Sequence, residues 1–256
     1  MAMQNRFLES DIPYGKLAKL GISKEKTLSM PKDLLETFLS GKVTPLIQAH
    51  VKSQSGTLYE IPLKLQLIQD RAGNIKLMTY PVRKDIVSDI ALNDDEKDRL
   101  RQGDTLRKEV KEDGVRRMQF IQMDYETKSL IKRNVSNLRL PEQIAQMEKV
   151  NDIQLGMNQK EAIKEGKPVE LEVGHEKVSV GVDLKEPQGF KIVKGDMPEW
   201  DRQQKIKYDR ANEGFMGYVL TDQNRWEYQQ VIDKLQDKET KYEVKEEQKL
   251  TTGMKR

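Results

Sequence analysis

The chain contains no cysteine, and only two histidines, His50 and His175. Disulfides and thiolate chemistry are therefore excluded, and so is a structural zinc site built on Cys or paired His. That composition suits a reducing compartment. Long apolar runs are missing as well. Nothing approaches the roughly 20 residues that cross a bilayer, and the opening "MAMQNRFLESDIPYGK" lacks the apolar segment of a secretory signal. The expectation is a cytoplasmic protein with no membrane partner. A dominant charge sign is also absent: 45 Lys and Arg face 42 Asp and Glu, a net +3 that by itself implies no polyanion.

What is present is length and charge. The 256 residues are enough for two or three modest domains. Apolar residues at 36%, charged residues at 34% and a mean hydropathy of -0.78 imply thin cores under a charged surface. The spacing predicts a helical pair at "YGKLAKLGIS" and "PKDLLETFLSGK", the second with Leu34, Leu35, Phe38 and Leu39 as its apolar stripe. After Gly41 the period falls to two. "KVTPLIQAHVKS", "TLYEIPLKLQLIQ" and "NIKLMTYPV" read as half-buried strands, with "DRAG" as a hairpin turn.

Residues 88–106, "SDIALNDDEKDRLRQGDTL", and 151–169, "NDIQLGMNQKEAIKEGKPV", align without a gap. Asp89/Asp152, Ile90/Ile153, Leu92/Leu155, Lys97/Lys160 and Gly103/Gly166 are shared, with Leu100/Ile163 and Leu106/Val169 conservatively exchanged. Asn93 with Glu96 has the form of a capping box, and each Gly suits a helix end. Strand-like text follows both, carrying Asp124 and Asp183 at the ends of alternating runs. A further strand-turn-strand is expected at "KIKYDRANEGFMGYVL", and Trp226, Gln229, Gln230, Ile232 and Leu235 stand at helical spacing before a charged end. The expected fold class is α+β: two or three small modules, each a short helix on an antiparallel sheet, with a charged C-terminal helix or tail. The expected divisions are 1–84, 85–150, 151–225 and 226–256.

Sites for chemistry are few. "SGKVT" has Glu36 and Val43 where a phosphate-binding loop needs Gly and Ser or Thr, and "GFMGYV" lacks the dinucleotide spacing. "LNDDEKD" is explained by a helix start, whose dipole favours negative charge. No catalytic residue, cofactor or metal is expected, and the chain is read as no enzyme. The better material is for nucleic acid: Arg116, Arg117, Lys132 and Arg133, interleaved with Phe120 and Tyr125, could meet phosphates and stack bases.

At "DIPYGKLAKLGISKE…LLETFLSGKVTPLI…LQLIQDRAGNIKLMTYPVRKDI" and "LNDDEKDRLRQGDTL…MQFIQMDYETKSLIKRNVSNLRLPEQI", the chain resembles paired domains of unknown function carried by integrative and conjugative elements of gut bacteria. Relatives of the repeated domain are similar to segments appended to type IA topoisomerases. The resemblance implies a non-catalytic accessory of a mobile element that binds DNA or a DNA-processing protein. It supplies no site residues. The alternative is a protein-interaction scaffold with no nucleic-acid contact.

Overall fold

The computed structural model describes residues 6–53, 55–70, 72–112, 114–138, 156–173, 175–209, 214–221 and 223–232. Three short helices come first: α1 (Tyr14–Ala18), α2 (Lys24–Leu28) and α3 (Lys32–Leu39). The expected pair is thus a trio, because Ser23 starts α2 by accepting from Lys26 N at 3.3 Å. Gly41, at φ 80°, turns the chain out of α3. An antiparallel meander follows, of β1 (Leu46–Lys52), β2 (Leu58–Gln69) and β3 (Ile75–Pro81). Asp70 shapes the β2–β3 turn, its Oδ1 accepting from Ala72 N and Asn74 N. Ile47, Ala49, Leu63, Leu65 and Leu67 form one face of this meander and pack on Leu17, Ile22, Leu34 and Phe38 of the helical layer.

Two further units have one element order. The first runs α4 (Asp94–Arg101), β4 (Leu106–Glu112), β5 (Val115–Met123) and β6 (Leu130–Asn134). The second runs α5 (Met157–Lys164), β7 (Val169–Val173), β8 (Glu176–Val182) and β9 (Phe190–Lys194). Glu96 reaches back to Asn93 N and Gln159 to Gly156 N, both at 2.9 Å. Both helices end at glycines of positive φ, Gly103 at 92° and Gly166 at 84°. Leu100 packs on Leu106 and Ile121, and Ile163 packs on Val169 and Val180. Leu106 is in register with Ile121, and Val169 with Val180. Asp124 N donates to Ser129 O and Asp183 N to Gly189 O, each at 2.9 Å.

Beyond β9 the structure departs from expectation. Residues 205–208, read as strand, and Asp209, read as the start of a turn, belong to α6 (Met197–Asp209), whose Trp200 packs over Gly181. The alternation in "KIKY" is too short to outweigh a helix begun at Asp196, where Oδ1 accepts from Glu199 N at 3.1 Å. After α6 come β10 (Phe215–Leu220) and β11 (Trp226–Ile232). Trp226 therefore opens a strand and no helix. Leu235, the last position of the expected helical stripe, lies outside the described residues. The strand wins because tertiary contacts satisfy both of its faces. Trp226 Nε1 donates to Lys26 O at 3.0 Å on the helix side, while Val231 and Ile232 bury with Leu46 and Phe215 on the other.

β10 runs parallel to β1, so β11-β10-β1-β2-β3 make one five-stranded sheet beside the two three-stranded ones. The division expected at 225/226 falls inside the β10–β11 hairpin. Gly217 permits this docking, since a Cβ there would stand 2.6 Å from Leu46 O and from Val231 Cγ2. The architecture is α+β. Among the described residues no helix is long and apolar enough to cross a membrane.

Candidate functional site

The four cations singled out in the sequence lie on two strands but do not gather. Strand pleating sends Arg116 and Arg133 to one face of the β4–β6 sheet and Arg117 and Lys132 to the other. Lys132 sits under α4, where its Nζ meets Asp89 at 2.6 Å and Glu112 at 3.8 Å. Arg133 pairs in register with Phe120 and turns inward, its Nη1 donating to Pro187 O at 2.9 Å. Its Nε and Nη2 are buried and have no hydrogen-bond partner among the described residues. Burial lowers its pKa.

Arg116 and Arg117 occupy a different setting. β4 and β5 continue past the edge of β6 as a two-stranded ribbon, on which every residue from 114 to 118 is exposed. Arg116 is 75% exposed and, among the described residues, pairs with Glu109 alone, at 3.4 Å. Arg117 and Lys111 are exposed and take no ion pair among the described residues. Val115 and Met118 are exposed beside them.

The aromatics expected among these cations are withdrawn. Phe120 is 2% exposed, in a core shared with Tyr80, Ile131, Val182 and Leu184. Tyr125 carries Lys185 Nζ 4.4 Å from its ring centroid, and burial, with help from Glu126, pushes its hydroxyl up to about 12. Base stacking on this face of the sheet is thereby closed off.

The sequence did not reveal where the three sheets join. Asp124, fully buried, lies 2.9 Å from Lys64 of β2 and 2.9 Å from Lys185 beyond β8. Its Oδ1 also accepts from Thr127 N at 3.0 Å and Thr127 Oγ1 at 3.1 Å. Glu126 completes the set as a second partner of Lys64. Burial opposes ionisation of Asp124, but the Lys185 and Lys64 ammonium groups outweigh it and hold the carboxyl far below the ordinary range. Lys64 shows the mirror effect: burial pulls its pKa down, and Asp124 and Glu126 raise it by more. Gln66 extends the seam, donating to Gly41 O at 3.0 Å and accepting from Tyr80 Oη at 2.9 Å. With the charges balanced, this cluster acts as a clasp. Both Lys64 and Gln66 occupy alternate positions that a lone hairpin would turn to water, and Lys64 lies sixty residues from its partner.

The histidines stand apart from one another. His50 of β1 lies 3.8 Å from Glu60 of β2, and His175 is exposed in the β7–β8 turn. Among the described residues no group of three or more His, Cys, Asp or Glu could hold a metal ion.

The arrangement is that of a three-sheet α+β protein with a buried ionic clasp and a projecting cationic ribbon. A family model described as "Protein of unknown function (DUF4099)" matches residues 7–90, which span the three N-terminal helices and β1 to β3. β10 and β11, which complete that sheet, lie outside the matched segment. No curated protein and no solved structure matches the chain.

Proposed function

We propose that this chain is a non-catalytic accessory protein of a mobile genetic element that binds nucleic acid through the β4–β5 ribbon. The observation that carries the reading is the exposed cation set Lys111, Arg116 and Arg117, of which Arg116 alone takes an ion pair among the described residues, at the end of a ribbon anchored in a packed sheet. Exposed cations without carboxylate partners are free to take phosphates, whereas cations already neutralised would first have to be released. Lys132 and Arg133 support the sheet in this reading and leave the contact to the ribbon. The resemblance to the paired domains of conjugative elements supports a place beside DNA transfer or processing. The common element order, capping geometry and strand register of α4–β6 and α5–β9 support a duplicated unit, one copy of which took up binding. A mobility-shift assay at low salt with mixed duplex and single-stranded DNA is the test. Retention by the wild type and loss in Arg116→Ala/Arg117→Ala is the expected result, and no retention by the wild type removes the reading.

One observation favours a protein-interaction scaffold instead. Met216 and Tyr228 are 46% and 57% exposed beside the outer edge of β11, a setting suited to strand addition by a partner. Under that reading Tyr228→Ala abolishes partner capture, and the ribbon substitutions leave it intact.

A further inference from the structure

The ribbon carries its charge in an arrangement that costs stability in the isolated protein. Lys111 and Arg116 are direct cross-strand partners, so two like charges face each other on one side of the ribbon. Such a pair is unfavourable in a sheet. Among the described residues little relieves it: Glu109 reaches Arg116 at 3.4 Å, and Glu112 is engaged by Gln119 Nε2 at 3.1 Å on the other side. Arg117, in register with Val110, adds a cation to that opposite side. The ribbon thus presents positive charge on both faces, with the apolar side chains of Val115 and Met118 between the charged tips.

We propose, building on the nucleic-acid reading above, that the ligand of this ribbon is double-stranded DNA and that the ribbon enters its major groove. Cations on both faces of a thin element match a slot with anionic walls on both sides, which the two phosphate backbones of a duplex provide and a single strand does not. A two-stranded ribbon fits the roughly 12 Å width of the major groove. Val110, the partner of Arg117, is buried, so the part of the ribbon free on both strands runs from Lys111 to Arg116. Three residues along each strand at about 3.4 Å reach about 10 Å, enough for the groove's depth of about 8.5 Å. Single-strand binding without sequence preference leans on exposed aromatic platforms. The ribbon has none, and the nearest ring, Phe120, is in the core. In the groove Lys111 and Arg116 meet one backbone, Arg117 meets the other, and Val115, beside the turn, is placed for contact with thymine methyl groups.

The test is fluorescence anisotropy of the full chain with a labelled duplex and with either of its strands alone. Three phosphate contacts give a slope of about -2.7 in log affinity against log salt, or roughly a fortyfold loss between 50 and 200 mM. Arg117→Ala is expected to reduce the slope by about 1, and Lys111→Ala/Arg116→Ala by about 2. All three positions are exposed, and circular dichroism checks that the variants remain folded. Methyl green, which occupies the major groove, should displace the protein, and netropsin, in the minor groove, should not. Equal or tighter binding of the single strand, displacement by netropsin alone, or a slope that responds to only one face of the ribbon overturns the groove proposal and leaves nucleic-acid binding standing. Failure to bind either form at low salt overturns both.

Discussion

The α4–β6 and α5–β9 units use one skeleton for different ends. The β4–β5 ribbon is built from strands of seven and nine residues and carries five cations against three carboxylates between 106 and 123. The β7–β8 ribbon is built from strands of five and seven and carries Lys177 against Glu170, Glu172 and Glu176. The β7–β8 hairpin is shorter and of opposite charge at its loop end, while the core positions Leu100/Ile163, Leu106/Val169 and Ile121/Val180 are apolar in both units. Core geometry constrains the packed face, and the free end of a hairpin changes at little cost. The pair of units therefore separates what the fold requires from what it leaves free to vary.

The largest asymmetry is between the two hairpin aspartates. Asp124 ionises against two lysines in a fully buried site, whereas Asp183 Oδ1 accepts from Lys185 N at 3.0 Å with 7% of the residue exposed. Asp124→Ala leaves buried Lys64 with Glu126 alone and takes its ion pair from Lys185, and is expected to cost about 3–5 kcal/mol in urea denaturation. Asp183→Ala is expected to cost about 1 kcal/mol. Comparable losses would mean that the clasp does not depend on charge. The pH profile sharpens the contrast. A carboxyl held low contributes stability that is present above its unfolded value of about 3.9 and lost as pH falls toward its folded value, so the acid limb of the wild type should flatten in Asp124→Asn. Lys64, whose pKa is raised, contributes stability that is present below about 10.4 and fades as pH rises through its higher folded value.

The second contrast is between Gln122 and Gly181, which each precede the last paired residue of their strands. Gln122 bridges to the other unit, donating to Val182 O at 2.8 Å and accepting from Leu184 N at 2.6 Å. Gly181 leaves the same place empty for Trp200, whose Cη2 and Cζ2 would stand 2.6 Å from an added Cβ. Gln122→Ala should cost about 1–3 kcal/mol through unsatisfied groups. Gly181→Ala should cost about as much through overpacking. Tryptophan fluorescence distinguishes the mechanisms, since only Gly181→Ala displaces an indole.

A smaller effect separates the two helix-ending glycines. An added Cβ at Gly103 meets nothing within 4 Å, so Gly103→Ala should cost only the left-handed backbone penalty, about 1–2 kcal/mol. At Gly166 the same Cβ comes within 3.1 Å of Thr105 Cγ2 and 3.3 Å of Phe120 Cε1. Gly166→Ala is therefore expected to be worse by up to about 1 kcal/mol, and thermal melts of the two variants report the difference. Gly166 marks where the second unit leans on the first.

Much of this was legible beforehand. The change of period after Gly41, the Asp70 turn, the Asn93–Glu96 cap and the two glycines are local signals, and local signals survive in a single sequence. Three things were not. Trp226 to Ile232 fit either period, and only the distant edge of β1 decided between them. Lys64 and Gln66 look solvent-facing until another sheet is laid on them. Of the four cations, spacing could not say that Arg133 points into a core and Lys132 into carboxylates, because that depends on which strand faces which helix. Phe120 and Tyr125 misled for the same reason, since an aromatic between arginines on a strand is equally a stacking platform or a core residue until the opposite face is known.

The smallest expected effect tests whether charge alone accounts for the division of labour between the ribbons. Glu172→Lys/Glu176→Lys makes the β7–β8 ribbon basic without lengthening it. Both positions are exposed, and the one ion pair displaced among the described residues, Glu176 with Lys194 at 3.6 Å, is a surface contact of little consequence to stability. Added cations near a duplex raise affinity through counterion release, so a gain of a few-fold at low salt is expected, fading at physiological salt. The same substitutions placed on Arg116→Ala/Arg117→Ala should leave binding weak, because the shorter ribbon has the charge but lacks the reach to bring it between two backbones. Full rescue would show that any basic surface suffices and that the extra length of β4 and β5 has no part in recognition.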